Sequence, residues 1–278
     1  MDRRTFLRRA GLGSAGVAAV AAPAGTYALG HHLGSTQLAG NYSDTVAAGQ
    51  TRGGVNVWWS VDPRGEKVLA LTFDDGPTKQ FTPEVIDILD RYGVPATFFV
   101  IGELVERRPD AVRQLVEAGH EVANHTFDHF SAAIQSPAEV RTTIERGADA
   151  VAAVTGERPR WFRPVKGHVT GSVLRAAVEL GHDVAMWSVS RDPGIDTAVD
   201  DVDGVRANYI EAIHDGAIVI FHDGIGRSAF ERTGPDDGLM LARRTEIDAL
   251  PAVIERYLAD GYRFTTTTDL IDTYAATV

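Results

Sequence analysis

The chain has 278 residues, 44% of them hydrophobic and 23% charged, with 28 Gly and 12 Pro. This is ordinary globular composition with room for a substantial core, and it excludes a disordered, collagen-like or multi-span membrane protein. Twenty-seven Lys and Arg against 38 Asp and Glu leave a net charge of −11, which argues against a nucleic-acid partner. With no cysteine, disulfides, thiolate metal sites and cysteine nucleophiles are excluded, and any soft metal must take His, Asp or Glu.

Residues 1–30 differ from the rest. Four arginines, with Arg3-Arg4 ahead of Thr5-Phe6-Leu7, precede an uncharged Ala- and Gly-rich stretch from Ala10 to Gly30 with small residues near Ala22-Pro23-Ala24. A positive start, a weakly apolar middle and a small-residue end make an export signal of twin-arginine type. An uncleaved membrane anchor is the alternative, but Gly and Ala supply little transfer energy. The expectation is a secreted or cell-wall-associated monomer, with no stable membrane insertion once the signal is removed. Residues 31–66 are small, polar and aperiodic and read as a linker, with Val55–Trp59 packing on the domain that follows. His31-His32 reads as a solvated pair.

From residue 67 onward, short apolar runs alternate with helical patterns. The runs are Val68–Phe73, Ala96–Ile101, Glu121–Ala123, Trp161–Phe162, Val184–Trp187, Ile218–Phe221 and Tyr262–Thr266. Pro83–Tyr92 is a helix with Thr82 as its cap, and Pro109–Ala118 is a second. Pro137–Val154 opens on a capping box, Ser136-Pro137-Ala138-Glu139. Val169–Leu180, Val202–His214 and Thr245–Ala259 follow. Gly93, Gly119, Gly181, Gly216 and Gly261 each stand between a helical pattern and an apolar run, where a left-handed residue ends a helix. Seven strands alternating with helices imply parallel βαβ units, closed as a barrel or open as a doubly wound sheet. In either form ligands bind at the carboxyl ends of the strands.

Five of those ends carry ionisable groups. They are Asp74-Asp75-Gly76-Pro77, Asn124-His125 through Asp128-His129, Arg163-Pro164-Val165-Lys166-Gly167, Ser190-Arg191-Asp192 and His222-Asp223-Gly224. Adjacent carboxylates at Asp74 and Asp75 repel unless a cation takes one oxygen, although Asp-Asp-Gly-Pro is also good turn chemistry. His125 and His129, four apart, bring two imidazoles within reach of one ion. Two His and one Asp with open positions suit a catalytic divalent metal such as zinc. His222, at the end of an apolar run, suits proton transfer. His120-Glu121 resembles the start of a zinc-protease helix but lies on a strand, so His120 and His182, each following a Gly, read as strand openers. No Gly-x-Ser-x-Gly turn or phosphate-binding Gly loop is present.

Thr72-Phe73-Asp74-Asp75-Gly76-Pro77, His125-Thr126-x-x-His129, Arg163-Pro164, Asp192 and Ile220-x-His222 resemble, in order, the five motifs of the polysaccharide deacetylases, carbohydrate esterase family 4 or NodB homology domain. The resemblance covers about residues 66–272 and implies a distorted (β/α) barrel with about seven parallel strands. It implies that Asp74 is the general base and that Asp75, His125 and His129 hold one divalent metal ion, zinc first, with cobalt, nickel and manganese as alternatives. Arg163 would hold the base ionised. His222 would be the general acid, with Asp192 pairing to it and favouring its protonated form. Ile220 would line the acetyl-methyl pocket, and Pro164, Lys166 and Trp187 would contact substrate, the Lys166 N–H serving the oxyanion. The chain departs from the family pattern at Val165-Lys166, usually Pro-Tyr, and at Pro193, usually Trp. Both positions bear on substrate identity more than on the chemistry. The implied activity is removal of acetyl groups from N-acetylated polysaccharide or oligosaccharide, of peptidoglycan or chitin type. The alternatives are an O-deacetylase on acetyl-xylan, a non-catalytic glycan-binding wall protein and a metal-dependent phosphoesterase.

Overall fold

A computed structural model describes residues 55–191, 200–229 and 237–275. The expected signal, the first part of the linker, His31-His32 and Asp192 lie outside the described residues. Eight parallel strands form one sheet: β1 (Val57–Trp58), β2 (Val68–Asp74), β3 (Thr97–Val100), β4 (Glu121–Asn124), β5 (Trp161–Phe162), β6 (Asp183–Ala185), β7 (Ala217–His222) and β8 (Arg263–Thr265). Their order is β1-β6-β5-β4-β3-β2-β7, with β8 also on β2. β3 pairs with the carboxyl half of β2 and β8 with its amino half. Isolated bridges from the residues after β1 and after β6, Ser60 to Ala217 and Val189 to Val219, bring that side of the path to β7. The result is a distorted (β/α) barrel, as expected.

The eighth strand is a finding. Val57 and Trp58, in the stretch read as the end of a linker, pair with Val184 and Ala185 of β6. The helices are α1 (Thr82–Tyr92), α2 (Gly102–Arg107), α3 (Pro109–Glu117), α4 (Pro137–Thr155), α5 (Gly171–Leu180), α6 (Val202–Ala212), α7 (Asp237–Ala259) and α8 (Thr267–Tyr274). α2 and α8 were not expected, and α7 begins at Asp237 rather than Thr245. Thr82 does not cap α1, whose N-cap Phe81 has no side-chain bond. The Thr82 hydroxyl instead accepts from the Thr78 N–H at 2.7 Å and donates to Asp223. The five glycines expected to stop helices all have positive φ. No described helix is long and apolar enough to cross a membrane.

Burial on both faces explains why β2 reads as a continuous apolar run. Val68 and Ala70 pack with Phe99, Ala123, Trp161, Ala185 and Ile218, and α8 joins this cluster through Leu270, Ile271 and Tyr274. Leu69, Leu71 and Phe73 instead belong to the cluster shared with α1 and α7. Successive strand residues point to opposite faces. Continuing the first row in steps of two leads from Ala70 to Thr72 and Asp74, and from Ala123 to His125. It also leads from Trp161 to Arg163, from Ala185 to Trp187, and from Ile218 to Ile220 and His222. The alternation that fills the barrel interior therefore delivers these residues to its carboxyl mouth.

Candidate active site

Arg163 and Asp74 form the buried base of the site. Arg163 is fully buried. Its Nε donates to the Ala185 carbonyl and one terminal nitrogen to the Met186 carbonyl, both at 2.8 Å. The other terminal nitrogen donates to Asp74 Oδ1 at 2.7 Å and to the Thr72 hydroxyl at 2.9 Å. The guanidinium also lies over the Phe99 ring. β6 thus anchors the cation that faces Asp74. Burial lowers the pKa of Arg163, opposed by the Asp74 carboxylate.

Asp75, His125 and His129 converge beside this pair. Asp75 Oδ1 lies 2.8 Å from His129 Nε2 and 3.5 Å from His125 Nε2. One donor atom from each residue lies within 4.8 Å of the other two. His125 Nδ1 sits 2.8 Å from the Arg163 carbonyl, which can only accept. The proton is therefore on Nδ1, and Nε2 is left as a ligand, as metal-binding histidines require. His129 Nδ1 is 3.2 Å from the Arg227 N–H. Two imidazole nitrogens and a carboxylate oxygen with room beside them fit a catalytic divalent ion. Burial favours neutral Asp75, but His129, His125 and His222 outweigh it and hold the carboxyl well below its usual range. Burial lowers the pKa of His125 while Asp74 and Asp75 raise it, and the net shift is upward.

Asp74 Oδ2 lies 3.7 Å from His125 Nε2, so the acid bound to Arg163 borders the three-residue centre. His222, the register partner of Asp74 on β7, lines the same cleft. Asp192, its expected partner, lies outside the described residues. Among the described residues, His222 Nδ1 stands 3.2 Å from Glu246 Oε1. The sequence reading missed Glu246, Arg243 and Tyr209, which form one buried network here. Glu246 is held down to about 2: burial opposes this, and His222, Arg243 and Tyr209 overcome it. Asp223 was named only as part of a strand end. It is fully buried, one of its oxygens has no partner, and burial drives its pKa up to about 7.

The cleft has a volume of about 690 Å³, and Lys166, Trp187 and Ile220 line it beside Asp74, the three convergent residues and His222. Pro164 does not reach it. Pro164 is buried in a small adjoining hollow with Thr126 and Phe162, and Val165 occupies the cleft wall in its place. All other expected site residues within the described chain come together.

Comparison with known proteins identifies the family. The polysaccharide deacetylase family model matches residues 62–185. A peptidoglycan-N-acetylglucosamine deacetylase of Bacillus cereus is 35% identical over 215 residues, 77% of this chain and 92% of the relative. A chitooligosaccharide deacetylase of Bradyrhizobium sp. is 41% identical over 164 residues, covering 59% of this chain and 74% of the relative. The crystal structure of the Bc1960 peptidoglycan N-acetylglucosamine deacetylase superposes with a TM-score of 0.67 at 28% identity, over 79% of this chain and 94% of that one. With the motif residues gathered in one cleft and this extent of similarity, the chain belongs to the polysaccharide deacetylase family.

Proposed function

We propose that this protein is a metal-dependent hydrolase that removes acetyl groups from N-acetylated glycan of the peptidoglycan or chitin type and releases acetate. One observation carries the reading: a ready ligand set, Asp75, His125 and His129, lies beside an acid held by a buried arginine, with His222 lining the same cleft. The printed activities of the relatives, on peptidoglycan N-acetylglucosamine and chitooligosaccharide, support the choice of substrate. The export signal read in residues 1–30 suits a polymer outside the cytoplasm.

Asp75, His125 and His129 would hold the ion, zinc being the first candidate for this nitrogen-rich set. When bound, a divalent ion supplies Lewis acidity and makes a water ligand acidic near neutral pH. Asp74 takes the proton of the attacking water, and the hydrogen bond from Arg163 to its Oδ1 aims it. Water oxygen adds to the acetamide carbonyl carbon, and the Lys166 N–H donates to the oxyanion; such a donor typically contributes about 3 kcal/mol. His222 gives its proton to the leaving nitrogen as the C–N bond breaks, leaving acetate and a free amine. Ile220 and Trp187 hold the acetyl methyl.

The test is acetate release by zinc-reconstituted protein from peptidoglycan strands, chitooligosaccharides and acetyl-xylan. Acetate from an N-acetylated glycan is expected. Acetate from acetyl-xylan alone establishes the O-deacetylase alternative, and none from any substrate removes the enzymatic reading.

A further inference from the structure

The carboxylate behind His222 comes from an unexpected element. Glu246, on α7, is fully buried. Its Oε1 faces His222 Nδ1 at 3.2 Å and lies 2.8 Å from the Tyr209 hydroxyl, whose one proton it shares with the Ile220 carbonyl at 2.8 Å. Its Oε2 accepts from Arg243 at 2.8 Å. Arg243 in turn donates through Nε to the Gly224 carbonyl, two residues past His222, and its remaining nitrogen stands 3.6 Å from Asp75 Oδ2. Tyr209 is locked by stacking on Phe221, the residue before His222, at 4.0 Å between ring centroids. The polar partners of Glu246 therefore all connect to the end of β7 or to the site.

A buried carboxylate with no role would be an expensive feature, because desolvation of an ion is repaid only by close, well-directed partners. Here the partners are a guanidinium, a phenol and the ring of the residue assigned as the proton donor. An acceptor fixed on Nδ1 leaves Nε2 as the nitrogen facing substrate, the arrangement by which carboxylates orient catalytic imidazoles. Arg243 and Glu246 are three apart and so share one face of α7. His222 first and Arg243 next hold Glu246 in its anionic form against the burial that opposes it.

We propose that Glu246 is the positioning residue for His222, in place of the Asp192 that the family pattern implies, with Arg243 and Tyr209 holding it in register. This rests on the deacetylase reading for its catalytic meaning but not for its structural test. Hydrogen bonding of an imidazole to a carboxylate moves the Nδ1 proton far downfield. The probe is therefore proton–nitrogen NMR of zinc-loaded protein with 15N-labelled histidine, the His222 signal assigned by its loss in His222→Gln.

The expected result is a downfield Nδ1 proton that Glu246→Gln removes or moves strongly upfield and that Asp192→Asn leaves in place. Tyr209→Phe takes one donor from the same oxygen while keeping the ring stack, and shifts the signal without abolishing it. Tyr209→Phe carries the test if Glu246→Gln does not fold. On an N-acetylated chitooligosaccharide, Glu246→Gln is expected to lower kcat by roughly 10²-fold with KM little changed and zinc retained. A signal that survives Glu246→Gln but vanishes in Asp192→Asn, or a Glu246→Gln enzyme with full kcat, overturns the proposal. If wild-type protein releases no acetate, the deacetylase reading fails while the NMR comparison still decides what holds His222.

Discussion

Asp74 and Asp75 are neighbours with the same side chain, and their backbones give them different partners. Asp74 ends β2 in extended geometry and meets Arg163. Asp75 has φ +77° and turns its carboxylate toward His125 and His129. Among the described residues, positive φ at non-glycine positions is confined to Arg64, Asp75, Thr126, His129 and Lys166. Four of these five lie in or beside the site, where such strain is tolerated because the surroundings over-determine it. The split in partners predicts a split in phenotype. Asp74→Asn should lower kcat by at least ~10²-fold with metal retained, and Asp75→Ala should lose the metal itself; metal analysis of purified variants beside acetate assays separates the two. A second prediction concerns Gly226, whose φ is +58° and whose missing Cβ would stand 2.4 Å from the His129 ring. Gly226→Ala should displace that ring and weaken metal binding roughly tenfold or more, read by competition with a chromogenic chelator. The residues legible in advance were those written as local strings. Glu246 was not legible, because nothing near it in the chain announces a partner that only folding brings within reach.

At the level of elements, most of the fold follows from two periodicities and a set of stops. Strands and glycine turns were legible because five of the seven apolar runs follow a left-handed glycine. The misses have physical causes. β1 is two residues long and has no alternation to read. α2 spans six residues and opens on Gly102, where a side chain would strike Phe127 and the Gly147 backbone; packing at that point, not helix propensity, selects the residue. α7 starts early because Leu239 and Met240 pack against the main core, although the Arg-rich stretch after them breaks the apolar pattern. The capping box of α4 is formed as read: the Glu139 N–H donates to the Ser136 hydroxyl, and the Ser136 N–H donates back to the Glu139 carboxylate at 2.7 Å. Ser136→Ala should therefore cost about 1 kcal/mol, measured as a lower urea midpoint at unchanged slope. α4 carries Gly147, which admits Asn124 and the Thr126 backbone at close range, so weakening it should also loosen the His125–His129 loop and reduce zinc affinity.

Across the whole molecule, charge is sorted by depth. The surface is acidic overall, while the barrel mouth collects Asp74, Asp75, Glu246 and Asp223 around Arg163 and Arg243. At the opposite ends of β4 and β6 stand two buried histidines, His120 and His182. His120 packs its ring against Phe98 and neither ring nitrogen has a hydrogen-bond partner; His182 lies beside Phe162. Burial lowers the pKa of both below the ordinary 6.5, so both are neutral in the folded protein at neutral pH. The unfolded chain takes up these protons as pH falls through 6.5, and the folded chain does so only at lower pH. The unfolded state then binds more protons, so stability present above pH 6.5 declines as pH falls below it, until the folded-state rings also protonate. Chemical denaturation at pH 7.5 and 5.5 should show wild-type protein less stable at the lower pH. His120→Phe with His182→Phe should shrink that difference, since a phenyl ring fills the same apolar space and takes up no proton. Zinc loss in acid would destabilise both proteins alike and cancels in the comparison. An equal pH dependence in the two would mean that these rings are not the groups whose burial sets the acid limb.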